Sequence, residues 1–246
     1  FPTRRSSDLG NTGIALAMVG AVLGIKTVII MPESMSKERR ELIKAYGSQL
    51  ILTPKETGMK GALAKADEIL ANYPNAFTLG QFVNPANPEI HYETTAVEIL
   101  EQVPNVDVFV AGIGTGGTFT GVTRHLKKAR PFIQAVAVEP TGSPAISQGQ
   151  GGPHKIQGIG AGFIPENFDR SLMDDVQTVS DEEAFAQIQT FMRESGISIG
   201  ISAAAAVVVA KRIAAERPTQ NIVVIAPDGV EKYLSMLDFD NVEHVK

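Results

Sequence analysis

The residues best suited to chemistry in this 246-residue chain form a glycine–threonine loop, Gly114-Thr-Gly-Gly-Thr118. An apolar, β-branched run, Val106–Ala111, precedes the loop, and a helical pattern follows it. This order predicts a strand that ends at a helix N-terminus, where backbone N–H groups and hydroxyls converge on an anion such as phosphate. Hydroxyls at four positions favour a terminal phosphomonoester over a dinucleotide pyrophosphate: Thr115, Thr118, Thr120 and Thr123.

Two other interpretations of this loop stay open from the residues alone. Gly112-x-Gly114-x-x-Gly117 fits the dinucleotide fingerprint, and Glu139 follows at about the distance at which an acidic residue would bind the ribose. NAD binding is therefore one alternative. The other is a strand-to-helix turn that binds no ligand.

A hydrolase motif supplies a further alternative. Gly196-Ile-Ser-Ile-Gly200 fits the nucleophile elbow, and Asp228 and His244 follow in the order of α/β-hydrolase triads. The sequence has no convincing HGGG-type oxyanion segment, and His244 lies in a polar tail. We favour Ser202 as the N-cap of a helix over Ala203–Ile213, directed at whatever occupies the cleft.

A second anion site is predicted near the start of the chain. Gly10-Asn-Thr-Gly13 precedes an apolar helix over Ile14–Leu23. An Asn–Thr pair at a helix N-terminus can bind a substrate carboxylate through amides and a hydroxyl. The alternative is a plain N-cap, in which Asn11 or Thr12 satisfies free N–H groups of the helix.

The composition excludes several classes of function. Hydrophobic residues make up 43% and charged residues 20% of the chain, as in an ordinary globular protein. A net charge of −5 without a Lys/Arg cluster argues against nucleic-acid binding. The absence of cysteine excludes disulfides and thiolate metal sites, and the four histidines lack ligand spacing, so we expect no metal. The longest apolar run, Ala203–Ala210, is too short to cross a membrane.

Strand and helix patterns alternate along the chain, which predicts an α/β fold with parallel sheets flanked by helices. Ser36 is predicted to cap a helix over Lys37–Tyr46, and Ser180 with Glu183 forms a capping box. Glycine and proline mark Gly80–Pro88 as a crossing between lobes and Thr141–Pro165 as a binding loop. The predicted strands are Thr27–Met31, Gln49–Thr53, Ala76–Leu79, Val106–Ala111, Ile133–Glu139, Asp175–Val179 and Asn221–Ala226.

Six motifs, taken in order, resemble the cysteine synthases, which are the O-acetylserine sulfhydrylases among the fold-type II pyridoxal-phosphate enzymes. The resemblance extends from Gly10 to about Ser235. The motifs are Asn11-Thr-Gly, Met31-Pro-Glu-Ser-Met-Ser, Gly80-Gln-Phe-Val-Asn-Pro-Ala-Asn-Pro88, Gly114-Thr-Gly-Gly-Thr118, Gly152-Pro-His-Lys-Ile-Gln-Gly-Ile-Gly-Ala-Gly-Phe163 and Gly200-Ile-Ser202.

The resemblance implies a two-lobed fold-type II enzyme that binds pyridoxal 5′-phosphate. Residues 1–84 would form a smaller N-terminal lobe, and residues 85–246 a larger cofactor-binding lobe. Gly114, Thr115, Gly116, Gly117 and Thr118 would bind the cofactor phosphate, Asn11 the 3′-oxygen and Ser202 the pyridine nitrogen. Thr12 and Gln81 would hold the substrate carboxylate, and Gly158 would lie at the cleft mouth.

The implied activity is that of a transferase: O-acetyl-L-serine loses acetate, and sulfide adds at the β-carbon to give L-cysteine. The partners implied are an amino-acid substrate, sulfide, a second copy in a homodimer and the C-terminal tail of a serine acetyltransferase. A cytoplasmic location is implied as well, with no nucleic-acid or membrane partner. The alternatives are a non-catalytic binding homologue and a β-replacing synthase that uses phosphoserine or homocysteine.

The sequence departs from the family pattern before Asn11. The Schiff-base lysine of the family lies upstream of the asparagine loop, and no lysine here has the matching context. Thr-Ser usually precedes the loop, whereas this chain has Asp8 and Leu9. We therefore expect an N-terminally truncated chain in which Phe1–Leu9 is a foreign junction, and which lacks useful turnover because the lysine is both anchor and base.

Overall fold

A computed structural model of the protein describes residues 3–7 and 11–237. Within these ranges the strands form two four-stranded sheets, ordered β3-β2-β1-β4 and β7-β6-β5-β8, and every pairing is parallel. The strands are β1 (Thr3–Ser7), β2 (Thr27–Pro32), β3 (Gln49–Thr53), β4 (Ala76–Phe77), β5 (Val108–Gly112), β6 (Gln134–Pro140), β7 (Asp175–Val179) and β8 (Ile222–Val224).

Helices connect the strands and cover the sheets. They are α1 (Asn11–Val22), α2 (Lys37–Ala45), α3 (Gly58–Ala71), α4 (Ala86–Ile90), α5 (Ala96–Gln102), α6 (Gly117–Ala129), α7 (Ala145–Gln148), α8 (Asp181–Ser195) and α9 (Ile201–Glu216). A π-helical turn, His91–Thr95, joins α4 to α5. The remaining short helices are 3₁₀ turns, two of which, Val230–Lys232 and Leu234–Met236, follow β8.

The second sheet is buried on both faces, and β5 shows why. Successive side chains of a strand point to opposite faces. Val108 and Val110 pack into a core with α8 and α9, whereas Phe109 and Ala111 pack into a core with α5 and α6. An apolar run without polar alternation is therefore what a doubly covered parallel strand requires, and it places the following glycine loop at the carboxyl end of the sheet.

The predicted α/β class with parallel sheets is confirmed, and all seven predicted strands are present with bounds shifted by a few residues. The strand that sequence analysis missed is β1, which pairs with both β2 and β4 in the middle of the first sheet. Of the predicted junction Phe1–Leu9, residues other than 3–7 lie outside the described ranges.

Two capping predictions have different outcomes. The capping box at Ser180 and Glu183 is confirmed in both directions, with the Ser180 Oγ accepting from the Glu183 N–H at 3.2 Å. Ser36 was predicted to cap α2, but its side chain makes no capping hydrogen bond and is buried instead. No helix in the described part of the chain is long and apolar enough to cross a membrane.

Candidate active site

A cavity of about 440 Å³ lies where the loops that follow β1, β4, β5 and β8 meet. Ligands of parallel α/β sheets bind at the carboxyl ends of the strands. Nine of the ten predicted site residues line this cavity, and the tenth, Gly117, lies directly behind the loop. The nine are Asn11, Thr12, Gln81, Gly114, Thr115, Gly116, Thr118, Gly158 and Ser202.

The glycine–threonine loop requires glycine at two successive positions. Gly116 is the N-cap of α6 and has a φ of +81°, in the left-handed region that favours glycine. A Cβ there would lie 2.6 Å from the Cβ of Phe168, and a Cβ on Gly117 would overlap the Asn87 side chain. The backbone therefore approaches its neighbours closely, and the amides at the start of α6 border the cavity, as a phosphate site requires.

The two loop threonines are held by side chains from the preceding helices. Asn87 on α4 donates from Nδ2 to the Thr115 Oγ1 at 2.9 Å, and the His91 Nε2 lies 3.0 Å from the Thr118 Oγ1. Burial lowers the pKa of His91 below its ordinary value of 6.5, so its ring is neutral near pH 7. Sequence analysis missed Asn87 and His91 as site residues, although Asn87 lies in the asparagine–proline run that was treated as a crossing.

Two of the four threonines that supported the phosphomonoester prediction do not line the cavity. Thr120 is buried on α6, where its Oγ1 accepts from the Asp169 N–H at 3.0 Å, and Thr123 is fully buried one turn further on. The prediction that all four hydroxyls face the ligand was wrong because α6 turns its side chains through about 100° per residue. Thr115 and Thr118 remain as the hydroxyls at the cavity.

Gln81 carries a polar group that no protein atom satisfies. Its side chain is only 8% exposed, and neither Nε2 nor Oε1 has a hydrogen-bond partner among the described residues. Its backbone carbonyl is fixed, because it accepts from Asn87 Nδ2 at 2.9 Å and from Asn167 Nδ2 at 2.8 Å. A buried amide without partners costs free energy unless a ligand or water satisfies it, so Gln81 is placed to bind a polar ligand group.

Ser202 lies on the opposite side of the cavity, in the first turn of α9, where it is 5% exposed. The prediction that Ser202 is the N-cap of this helix was wrong, because the helix begins at Ile201 and Gly200 is the N-cap. Gly158, with a φ of +102°, passes so close that a Cβ there would lie 3.4 Å from the Ser202 Oγ. The left-handed glycine therefore leaves the Ser202 hydroxyl accessible at the cavity.

Helix α1 begins three residues earlier than predicted, at Asn11 rather than Ile14, so Asn11 and Thr12 form its first turn. The Asn11 amide is bound to Asp228 and Arg39. Both α1 and α6 direct their N-termini at the cavity, and a helix N-terminus attracts anions. None of the described lining residues is Asp, Glu, Lys or Arg, so amides and hydroxyls dominate the site.

The geometry removes both sequence alternatives from this cavity. The Glu139 carboxylate faces α7, where it accepts from the Ile146 N–H at 2.8 Å, and is not free to bind a ribose. The Ser198 Oγ accepts from the Val230 N–H at 3.1 Å, and Asp228 is bound to Arg39. The third member of the predicted triad, His244, lies outside the described residues. In residues 3–7 and 11–237 no group of three His, Cys, Asp or Glu side chains converges to hold a metal ion.

Comparison with known proteins identifies the family. The family described as pyridoxal-phosphate dependent enzyme matches residues 5–228. The chain belongs to this family, and the predicted cofactor, pyridoxal 5′-phosphate, is thereby confirmed.

The relatives within that family confirm the resemblance to cysteine synthases. The chain is 52% identical to cysteine synthase A of Escherichia coli strain K12, over 92% of this chain and 74% of that protein. It is 51% identical to cysteine synthase of Haemophilus influenzae, over 95% of this chain and 78% of that protein. A hydrogen sulfide-producing enzyme from Fusobacterium nucleatum has a similar structure, with a TM-score of 0.91 and 44% identity over 94% of this chain and 79% of that one.

Proposed function

We propose that this protein is a transferase that makes L-cysteine and acetate from O-acetyl-L-serine and sulfide, with pyridoxal 5′-phosphate bound in the cavity. The observation that carries the proposal is the loop Gly114–Thr118, which combines a left-handed Gly116, two held threonines and the N-terminus of α6. This arrangement suits a phosphate group. Bound there, the cofactor supplies an electron-withdrawing ring that makes the α-proton of an amino acid acidic.

The remaining site residues fit complementary parts of the ligand. In this proposal Asn11 donates to the 3′-oxygen, and the neutral Ser202 hydroxyl faces the pyridine nitrogen. A neutral partner at that nitrogen leaves it unprotonated, which favours elimination at the β-carbon over transamination. Thr12 and the unsatisfied Gln81 amide hold the substrate carboxylate, and Gly158 leaves the cleft mouth open beside Ser202.

The proton that leaves the α-carbon needs a base, and no lysine is among the described residues that line the cavity. We propose that a lysine upstream of Asn11 is this base and the covalent anchor, and that residues 1–246 alone bind the cofactor without useful turnover. DNA sequencing upstream of the Gly10 codon tests this. A strand, a lysine and Thr-Ser running into Gly-Asn-Thr-Gly supports the enzyme; a start codon just before Phe1 supports a non-catalytic binding homologue.

Activity of the protein that carries this lysine tests the substrate. We expect cysteine formation from O-acetyl-L-serine and sulfide, with much lower rates for O-phospho-L-serine or with homocysteine as the nucleophile. A preference for phosphoserine would overturn the proposed substrate. Release of sulfide from cysteine in preference to its consumption would reverse the proposed direction.

We propose further that residues 1–84 and 85–246 are the two lobes, that the enzyme is a cytoplasmic homodimer and that it binds the C-terminal tail of a serine acetyltransferase. The lobe boundary is supported by the order of the sheets, since β1 to β4 precede residue 84 and β5 to β8 follow it. Sedimentation of the purified protein, with and without a synthetic acetyltransferase tail, tests the dimer and the partner.

A further inference from the structure

A buried polar network connects the first turn of α1 to the segment that follows β8. Arg39, on α2, and the Asp228 side chain are both 0% exposed and form an ion pair of 3.1 Å. The Tyr233 hydroxyl donates to the Asp228 Oδ2 at 2.6 Å and accepts from Arg39, whose guanidinium carbon lies 4.8 Å from the Tyr233 ring centroid. These residues are about 190 positions apart in sequence.

The network determines which way the Asn11 amide points. The Asn11 Oδ1 accepts from the Arg39 Nη1 at 2.5 Å, and the Asn11 Nδ2 donates to the Asp228 Oδ2 at 2.9 Å. A guanidinium has only donors and a carboxylate only acceptors, so the reversed amide would place donor against donor and acceptor against acceptor. The second N–H of Nδ2 is used by no hydrogen bond within the described residues, and Asn11 lines the cavity.

We infer that Arg39 and Asp228 are positioning residues that hold Asn11 as a hydrogen-bond donor to the cavity, so that the site selects ligands with an acceptor oxygen at this point. This inference rests on the proposed cofactor site, where the acceptor is the ionised 3-oxygen of the pyridine ring. A freely rotating asparagine could offer either its carbonyl or its amide group. The fixed one discriminates against a ligand that offers a donor or an apolar group instead.

Asp228 itself is held in place by the start of α9. The Gly200 N–H donates to the Asp228 backbone carbonyl at 2.8 Å, and a Cβ on Gly200 would overlap the Asp228 carboxylate. The carboxylate therefore lies against the N-terminus of α9, which stabilises negative charge, two residues from Ser202. Burial raises the pKa of Tyr233, so its hydroxyl stays protonated and remains a donor to Asp228.

A stabilising role alone is a weak explanation for this network. A buried ion pair often contributes little to stability relative to apolar residues of the same volume, because both charges lose their hydration. The geometric consequence for Asn11 is specific, and it can be separated from stability by measuring coupling between variants.

The test uses 4-deoxypyridoxine 5′-phosphate, which keeps the phosphate, ring nitrogen and 3-oxygen of the cofactor but has no aldehyde to react with lysines. Its dissociation constant is measured by fluorescence titration for Asn11→Ala, Arg39→Lys and the double variant. Arg39→Lys keeps a charge partner for Asp228 but lacks the fork that also reaches Asn11. We expect about tenfold weaker binding for Asn11→Ala and about three- to tenfold for Arg39→Lys.

The double variant decides between the two explanations. If Arg39 acts through Asn11, the double variant binds no more weakly than Asn11→Ala alone. If the two losses multiply, or if Arg39→Lys binds like the wild type, the inference is overturned. Inorganic phosphate serves as a second probe, whose affinity stays unchanged in Arg39→Lys because it has no 3-oxygen.

Tyr233→Phe is the matched control, because Tyr233 is as buried as Arg39 but makes no contact with Asn11. We expect it to lower the thermal midpoint while ligand affinity stays within about twofold of wild type. If Arg39→Lys fails to fold, Arg39→Met/Asp228→Leu removes both charges together and is expected to bind about as weakly as Asn11→Ala. Wild-type affinity in that pair overturns the inference, whereas no probe binding by the wild type instead overturns the proposed cofactor site.

Discussion

Replacement of Gly116 by alanine tests the loop most sharply, because two separable penalties meet there. A left-handed φ of +81° costs a non-glycine residue about 1–2 kcal/mol. The added Cβ would also lie 2.6 Å from the Phe168 Cβ and 2.8 Å from its backbone N and Cα. Overpacking of this kind costs about 1–3 kcal/mol, because backbone has to move. We therefore expect a total loss of about 2–5 kcal/mol.

Gly47→Ala supplies the matched control. Gly47 follows α2, has a φ of +79° and has no atom within 4 Å of the position of an added Cβ. It therefore carries the left-handed penalty without the overlap, and the unfolded-state effect of replacing glycine by alanine is shared by both variants. We expect Gly47→Ala to cost about 1–2 kcal/mol, so the difference between the variants isolates the overlap with Phe168.

Urea denaturation followed by circular dichroism measures both free energies of unfolding, and titration with 4-deoxypyridoxine 5′-phosphate measures the loop's function. Gly116→Ala should bind the analogue at least tenfold more weakly, whereas Gly47→Ala should bind it like the wild type. Equal stabilities of the two variants, to within about 0.5 kcal/mol, would refute the close approach of the loop to Phe168.

Three further predictions concern a helix cap, a titrating group and the ligand. Ser180→Ala should cost about 1 kcal/mol in urea denaturation because it removes the capping box, whereas Ser36→Ala, which removes no capping bond, should stay within about 0.5 kcal/mol; equal losses would contradict this. Because burial lowers the pKa of His91, the unfolded chain binds a proton first as the pH falls, so stability should decrease from pH 7 downward through 6.5, and His91→Gln should flatten that slope. Ser202→Ala should weaken analogue binding by about two- to tenfold in fluorescence titration, and an unchanged affinity would remove Ser202 from the ring-nitrogen role.

Local patterns in the sequence predicted the parts of this structure that local physics determines. The run Val106–Ala111 and the glycines after it gave both the strand and the loop, because a buried parallel strand needs continuous apolar residues and a tight turn needs glycine. The capping box at Ser180 was predictable for the same reason, since all its atoms lie within four residues.

The features that were missed depend on residues far apart in the chain. Strand β1 has the polar sequence Thr3-Arg-Arg-Ser-Ser7, which gives no apolar signal, yet it pairs on both sides. The bond between His91 and Thr118 spans 27 residues, and the ion pair of Arg39 with Asp228 spans 189. No periodicity or spacing rule connects such positions, so only the folded structure brings them together.

The most direct test of the central claim is a crystal structure of the protein soaked with 4-deoxypyridoxine 5′-phosphate. The account predicts phosphate oxygens about 2.7–3.2 Å from the amides and hydroxyls of Gly114–Thr118, the 3-oxygen beside the Asn11 amide nitrogen and the ring nitrogen at the Ser202 hydroxyl. A phosphate bound away from this loop, or a ring turned so that its 3-oxygen faces Ser202, would contradict it.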